Sequence, residues 1–324
     1  MSKGYSSLKY RSGKERHGGS RAVFGIGSTG YLIMRIFWVL TGCLQIVLPA
    51  HGGLVPERIV SLSPNVTEIV FALGAGDRLV AVSRYCDYPR EVSRLPRAGG
   101  FVDPDYEAIV TLQPDLVIML DSHDAVAIEL KKLGIATLKV PHRSVADVHR
   151  AVRMIGDVCG ASARADSLIS RLKHRTRIVS RAVSGLPRPR VLLSIGRSTS
   201  SGQIGAVYVA GRDGFFDRLI ELAGGRNVCR EARVAFPRVS PEGVMRLNPD
   251  VIVDLVNIQG EKNLSENELS GQWQALDGVS AVQNGRVHIL TDTRPLRPGP
   301  RYVEFLCQLA KRLHPQADIP VSMP

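Results

Sequence analysis

SVADVHRAVRMIGDVCGASARADSLISRLKHRTRIVSRAVSG, residues 144–185, is the stretch on which the fold turns. Apolar residues at Val145, Val148, Val152, Ile155 and Val158 recur every three or four positions, the stripe of an amphipathic helix, and Gly160 breaks it. A second stripe follows at Ala165, Leu168, Ile169, Leu172, Val179 and Val183, with Arg and Lys on the other faces. Gly185-Leu186-Pro187-Arg188-Pro189 then stops helical structure. At 1.5 Å per residue the second helix, from Ser162 to Ser184, spans roughly 35 Å, enough to bridge two domains. An ordinary surface helix shows the same periodicity, so the flanking sequence decides.

Both flanks carry one unit. EAIVTLQPDLVI (107–118) reads as a short helix, a Pro-Asp turn and a buried strand, and EGVMRLNPDVIV (242–253) repeats that order. The offset is constant: 107 to 242, 112 to 247 and 115 to 250 each differ by 135. Earlier in each half an apolar strand runs into a helix ending in glycines, Ile59–Leu62 with Gly74 and Gly76, and Val191–Ile195 with Gly224 and Gly225. Strands alternating with helices predict parallel sheets. The fold class expected is therefore α/β, two lobes with central parallel sheets joined by a single long helix, with a ligand cleft between the lobes. Residues 54–143 form the first lobe, 144–185 the linker helix region and 186–324 the second lobe; residues 1–53 are a leader.

Met34-Arg35, the apolar run Ile36–Leu40 and Ile46-Val47-Leu48-Pro49-Ala50 have the layout of a secretory signal. Met34 is a candidate true start, because the residues before it are polar and rich in Gly and Ser. A membrane anchor is the competing reading, although the run is short for a bilayer span and interrupted by Gly42 and Gln45. Leu40-Thr41-Gly42-Cys43 also has the form of a lipoprotein box, but the residues after Cys43 stay apolar. Gly25-Ile26-Gly27-Ser28-Thr29-Gly30 matches a dinucleotide-binding pattern without the preceding strand or the later acid that such a site needs.

The formal net charge of +12 divides evenly. Residues 1–53 hold seven Lys or Arg against Glu15, which leaves +6 for the rest. No basic helix interleaved with aromatics occurs, so the composition gives no nucleic-acid footprint. Removal of the leader leaves Cys86, Cys159, Cys229 and Cys307, and export would permit disulfides, with Cys229–Cys307 as the candidate pair. Their spacings match no zinc pattern.

In open α/β sheets ligands lie outside the carboxyl ends of the strands. That rule places Ser63, Tyr85, Phe101 and the cluster Asp121-Ser122-His123-Asp124 on one rim. In the second half it selects 196–203, Phe236, Asn257 and 291–301. Ser63 or Asn65 is a candidate cap for the helix that follows the first strand, and Asp105 and Ser240 are candidate caps for the two repeated helices.

Arg58–Glu68, Ser83-Arg84-Tyr85-Cys86-Asp87-Tyr88-Pro89, the two Pro-Asp units and Val234–Ser240 resemble periplasmic cobalamin-binding proteins. These belong to the helical-backbone class of ABC-transporter substrate-binding proteins, whose relatives take up ferric siderophores and haem. The resemblance runs from Arg58 onward. It implies a monomeric periplasmic receptor that captures a metal chelate, cobalamin or a related corrinoid first, and delivers it to an ABC-transporter permease dimer at the inner membrane. A ferric siderophore or haem is the alternative ligand. Tyr85, Phe101 and Phe236 fall on the family's cleft aromatics and Arg297 on a pocket arginine. The family's pocket aspartate falls at Thr293, with Asp292 beside it. Aromatic faces suit a flat macrocycle, and arginine grips carboxylate or phosphate. Glu107 and Glu242 match the pair that docks onto the permease, and both also sit where a helix dipole favours an acid.

A metal-ion receptor would need several imidazoles and carboxylates converging, and only His123, between Asp121 and Asp124, is so placed. A haem receptor wants an axial Tyr or His, which Tyr85, Tyr88 or His123 could supply. A secreted hydrolase would need a nucleophile elbow or zinc helix, and neither motif occurs after residue 54. No catalytic residue and no resident cofactor is expected.

Overall fold

A computed structural model describes residues 55–319, apart from 101, 198–202, 213, 231–233, 257–263 and 293–295. The leader, with Met34, Cys43 and the glycine-rich pattern, and also Phe101, Asn257 and Thr293, lie outside the described residues.

The first sheet is built from β1 (Ile59–Ser61), β2 (Leu79–Val82), β3 (Leu116–Leu120) and β4 (Thr137–Val140), in the order β2-β1-β3-β4 and parallel throughout. Continuous apolar runs such as Leu116–Leu120, buried at every position, suit strands covered on both faces. The intervening helices are α1 (Pro64–Ala72), α2 (Tyr106–Thr111) and α3 (Asp124–Lys132).

The opening stretch forms α4 (Val145–Val158) and α5 (Ser162–Ala182). Ser144 caps α4 by accepting from the Asp147 amide at 3.1 Å, and Gly160 ends it with a φ of +66°. Val148, Val152 and Ile155 of the first stripe are buried, as are Ala165, Leu168, Ile169, Leu172 and Val179 of the second. The helices cross closely at Gly156, where a Cβ would lie 2.5 Å from that of Ala165. A larger residue there would force them apart.

The second half holds β5 (Arg190–Arg197), β6 (Val207–Val209), α6 (Phe215–Leu222), β7 (Arg226–Asn227), β8 (Arg238–Val239), α7 (Pro241–Leu247), β9 (Val251–Leu255), α8 (Glu266–Gly271), α9 (Ser280–Gln283), β10 (Val287–Leu290) and α10 (Tyr302–Leu313). Its sheet runs β10-β9-β5-β6-β8, with β7 beside β5. Its centre is parallel as expected, β10, β9, β5 and β7 pairing in that sense, while β6 pairs antiparallel with both β5 and β8 and makes the sheet mixed. The connection from Arg197 to Val207 is too short for the crossover that a parallel neighbour needs.

The duplication holds at atomic detail. Asp115 accepts from the amides of Glu57 and Arg58, each at 2.9 Å, and Asp250 accepts from that of Arg190 at 2.7 Å. The Arg58 guanidinium donates to Leu112 O, and that of Arg190 to Leu247 O. Gln113 and Asn248, also 135 apart, are the two non-glycine residues with positive φ among the described residues, at 44° and 40°. Each lets the helix stop and turn into the Pro-Asp corner.

One apolar core continues from the first sheet through the helix layer to the second, joining Val66, Ile118, Val152, Leu172, Val191, Leu219 and Leu306. The buried Tyr302 of α10 pins that layer: its hydroxyl lies 2.9 Å from Thr176 Oγ1 and 3.2 Å from His149 Nε2. Residues 54–324 form one compact unit, apart from residues 1–53. The four cysteines are buried free thiols, Cys229 in one apolar cluster and Cys307 in another, which overturns the expected disulfide. Burial pushes the Cys229 thiol up to about 11. No helix among the described residues is long and apolar enough to cross a membrane.

Candidate functional site

The parallel strands end on one rim, and there a C-terminal loop crosses to the first lobe. Pro298 O accepts from Asn65 Nδ2 at 3.1 Å, and Gly299 lies against Asn65 and Glu68. Ser63 stands at the N-cap of α1 but donates to Asn65 Oδ1 rather than capping, so the expected cap is corrected: both polar groups serve the crossing.

Two arginines of that loop meet two carboxylates of the first lobe. Arg301 donates to both oxygens of Glu68, at 3.0 and 2.7 Å, and its guanidinium lies 3.9 Å from the centre of the Tyr88 ring. Arg297 donates to both oxygens of Asp87, at 2.5 and 3.1 Å. Burial separates the pairs. The Glu68 side chain is 3% exposed, and breaking such a pair costs about 3–5 kcal/mol. Asp87 is 34% exposed, where a pair contributes only about 0–1 kcal/mol. Glu68–Arg301 therefore fastens the lobes, whereas Asp87 holds Arg297 exchangeably. Burial pushes the Glu68 carboxyl up, and the Arg301 fork offsets only part of that.

Tyr85 and Tyr88 flank Asp87 on the loop after β2, 54% and 40% exposed. Three of the expected features thus converge: Tyr85, Tyr88 and Arg297. Phe236 stands apart. It precedes β8 instead of following a strand, so the strand-end rule that selected it does not describe its position. It is 49% exposed and packs edge-on against Phe216, with ring centres 6.3 Å apart; Phe216 packs against Phe305 in turn. Asp292 is exposed beside the same C-terminal loop. His123 is buried at the start of α3, and burial lowers its basicity, so the expected rim ligand is a core imidazole. Its neighbour His142 instead pairs with Asp121 at 2.9 Å. No group of three or more metal-ligating side chains occurs among the described residues.

Sequence reasoning did not single out Glu68 or Asp87 as site residues, and it reached Arg301 only as the last residue of the rim stretch 291–301. Asp87 between two tyrosines was the available signal, since a carboxylate amid exposed rings needs a cation. A cavity of about 650 Å³ lined by Arg188, Asp250, Arg286 and His314 lies at the opposite ends of the strands, away from all of these residues. Strand topology locates the candidate site better than hollow volume does.

Residues 59–293 match the model of the family described as periplasmic binding protein. The chain belongs to that family. The uncharacterized ABC transporter substrate-binding lipoprotein YvrC of Bacillus subtilis is 29% identical over 269 residues, 80% of this chain and 81% of that protein. Among solved structures, the periplasmic vitamin B12-binding protein BtuF of Vibrio cholerae superposes with a TM-score of 0.68 at 25% identity, covering 80% of this chain and 97% of the other. The periplasmic heme-binding protein RhuT from Roseiflexus gives 0.68 at 26%, covering 80% and 98%. The chain is thus an extracytoplasmic substrate-binding protein of an ABC transporter, with a permease as partner, and not an enzyme. The hydrolase reading falls with that.

The expected docking pair lies in the first turns of α2 and α7. Asp105 caps α2 by accepting from the Ala108 amide at 2.9 Å, and Ser240 caps α7 by accepting from that of Gly243 at 3.2 Å. Both caps are as expected. Glu107 and Glu242 stand exposed in those turns. The α2 carbonyl at Leu112 meets the start of β1, so the helix begins at the rim end. A hydrogen bond from Ser240 holds the Glu242 carboxyl below its usual range, so it is charged at neutral pH.

Acid should loosen the molecule. Burial lowers the pKa of His123, His149, His288 and His314 below the ordinary 6.5. The unfolded chain then takes up their protons first as pH falls, so the stability present above about 6.5 is lost toward the lower folded values. Glu68, raised, works in the opposite sense above 4.5, but it is one group against four. The melting midpoint is expected to be several degrees lower at pH 5 than at pH 7. A flat profile in calorimetry would show that these imidazoles protonate without unfolding.

Proposed function

We propose that the chain is a periplasmic receptor that captures a metal chelate, a corrinoid first, between the lobes 54–143 and 186–324, and hands it to the permease. The observation that carries this reading is Arg297, which pairs with the half-exposed Asp87, lies 3.9 Å from Glu68 and meets the loop that bears the exposed Tyr85 and Tyr88. A ligand offering an amide oxygen, carboxylate or phosphate beside a flat face can take the guanidinium from Asp87 and stack on the rings. Phe236, Phe101 and Asp292 would complete the lining. The vitamin B12-binding neighbour supports a corrinoid, and the heme-binding neighbour supports haem as the second reading; a ferric siderophore is the third. The chain would act as a monomer, and the continuous core through α4, α5 and α10 would limit lobe closure. Glu107 and Glu242 would dock it. Signal-peptide cleavage would release it, with acylation at Cys43 the alternative, as the lipoprotein relative suggests.

Titration of residues 54–324 with cobalamin, cobinamide, a ferric siderophore and haem tests the reading, with two variants beside the wild type. Arg297→Ala should weaken the ligand that binds by roughly 10- to 100-fold, the worth of charge-assisted hydrogen bonds. Asp87→Asn removes the competitor and should tighten it by up to about fivefold. Unchanged affinity in Arg297→Ala would put the ligand elsewhere.

A further inference from the structure

Among the described residues, nothing packs on one face of the spine helix α5. Arg171, Lys173, His174, Arg177 and Arg181 stand exposed over about 15 Å of its length. The carboxylate on that face, Asp166, is taken by Arg153 of α4. Among the described residues, no ion pair engages Arg171, Lys173, Arg177 or Arg181, and the chain has no Asp or Glu between Asp166 and Asp213. Lys173, Arg177 and Arg181 follow each other at four-residue spacing, where like charges repel. The helix carries this ladder against its own stability, and an anionic surface would relieve it.

Its direction is set by two anchors. Arg164 donates to Leu73 O, at the C-terminal end of α1, and Ser180 donates to Leu222 O, at that of α6. Both helices leave the rim at their N-termini, so α5 runs across the end remote from the ligand rim and from Glu107 and Glu242. The molecule therefore has an acidic docking end and a basic spine end.

We infer that the exposed basic face of α5 rests on anionic phospholipid headgroups of the membrane that holds the permease. A row of long cationic side chains interspersed with Ser167 and Ser170, lining a shallow open hollow without an aromatic anchor among the described residues, fits a diffuse charged surface better than a shaped protein partner. A receptor lying on its spine turns its rim away from the membrane toward incoming ligand. Transfer then requires it to roll over onto Glu107 and Glu242.

Co-sedimentation of residues 54–324 with vesicles tests this without the apolar leader. Equimolar phosphatidylglycerol and phosphatidylcholine should bind the protein at low salt at least tenfold more tightly than phosphatidylcholine alone. Binding should collapse at 0.5 M salt, where screening is short-ranged. Each cation near such a surface adds about fivefold. The variant Arg171→Gln, Lys173→Gln, Arg177→Gln, Arg181→Gln should therefore lose at least about 50-fold, with its melting midpoint unchanged or raised. Equal binding to both vesicles, or full binding by the variant, overturns the inference. So does salt-sensitive self-association in sedimentation velocity that the variant abolishes, because the face would then belong to a second copy.

Discussion

Asp254→Ala is expected to lower stability by about 3–5 kcal/mol and the melting midpoint by roughly 10 °C. Asp254 on β9 and Arg197 at the end of β5 are both wholly excluded from solvent, with Nε and Oδ2 2.7 Å apart. Trp273 donates its indole N–H to the same oxygen at 2.9 Å, and its ring lies 5.7 Å from the guanidinium. Arg197 also donates to Gln272 Oε1 and to Leu269 O, which ties the α8 segment to the sheet beneath the rim. Loss of the carboxylate would leave a guanidinium buried without its counter-charge, and that desolvation penalty outweighs any relaxation. The double variant Arg197→Met with Asp254→Leu should recover most of the loss, because an apolar pair of similar volume is often neutral in a core. Melting followed by circular dichroism checks both. A single variant as stable as the wild type would show that the guanidinium finds another partner or water.

The second large effect concerns transport. Glu107→Lys with Glu242→Lys is expected to reduce uptake by at least 100-fold in cells carrying the cognate permease, with ligand affinity in solution unchanged. The two carboxylates occupy equivalent positions of the duplicated unit, exposed in capped first turns at the rim end. Such a pair suits a permease dimer with one basic site on each subunit, and reversal replaces two attractions by two repulsions, which cost several kcal/mol at an interface. Single reversals should each show a partial loss. Normal uptake by the double variant would assign both glutamates to helix-dipole stabilisation alone, and a parallel loss of ligand affinity would move them into the pocket.

The duplication was legible because it rests on local backbone demands. A helix that stops at Leu112 or Leu247 needs a left-handed residue, then a proline corner, then a carboxylate to receive the amides of the neighbouring strand. Those demands fix residue types at fixed spacing. The spine helix was legible for the same reason, through its stripe and its glycine stops. What escaped depended on distant partners. Arg297 lies 210 positions from Asp87, and Arg301 lies 233 from Glu68, so no window of sequence shows that they meet. His123 among aspartates looked solvent-facing, yet the fold buries it at the start of α3. The antiparallel β6 was readable only from the length of its connection. Cys229 and Cys307 were paired by their shared half of the chain, which says nothing about which face of a sheet each occupies.

The measurement that tests the account most directly is calorimetric titration of residues 54–324 with cobalamin, cobinamide, a ferric siderophore and haem in parallel. The account predicts saturable one-to-one binding of the corrinoids, lost with Arg297→Ala. Binding of haem or the iron chelate alone would contradict the corrinoid assignment while leaving the transport role. Absence of binding to all four would contradict the chelate-receptor claim itself.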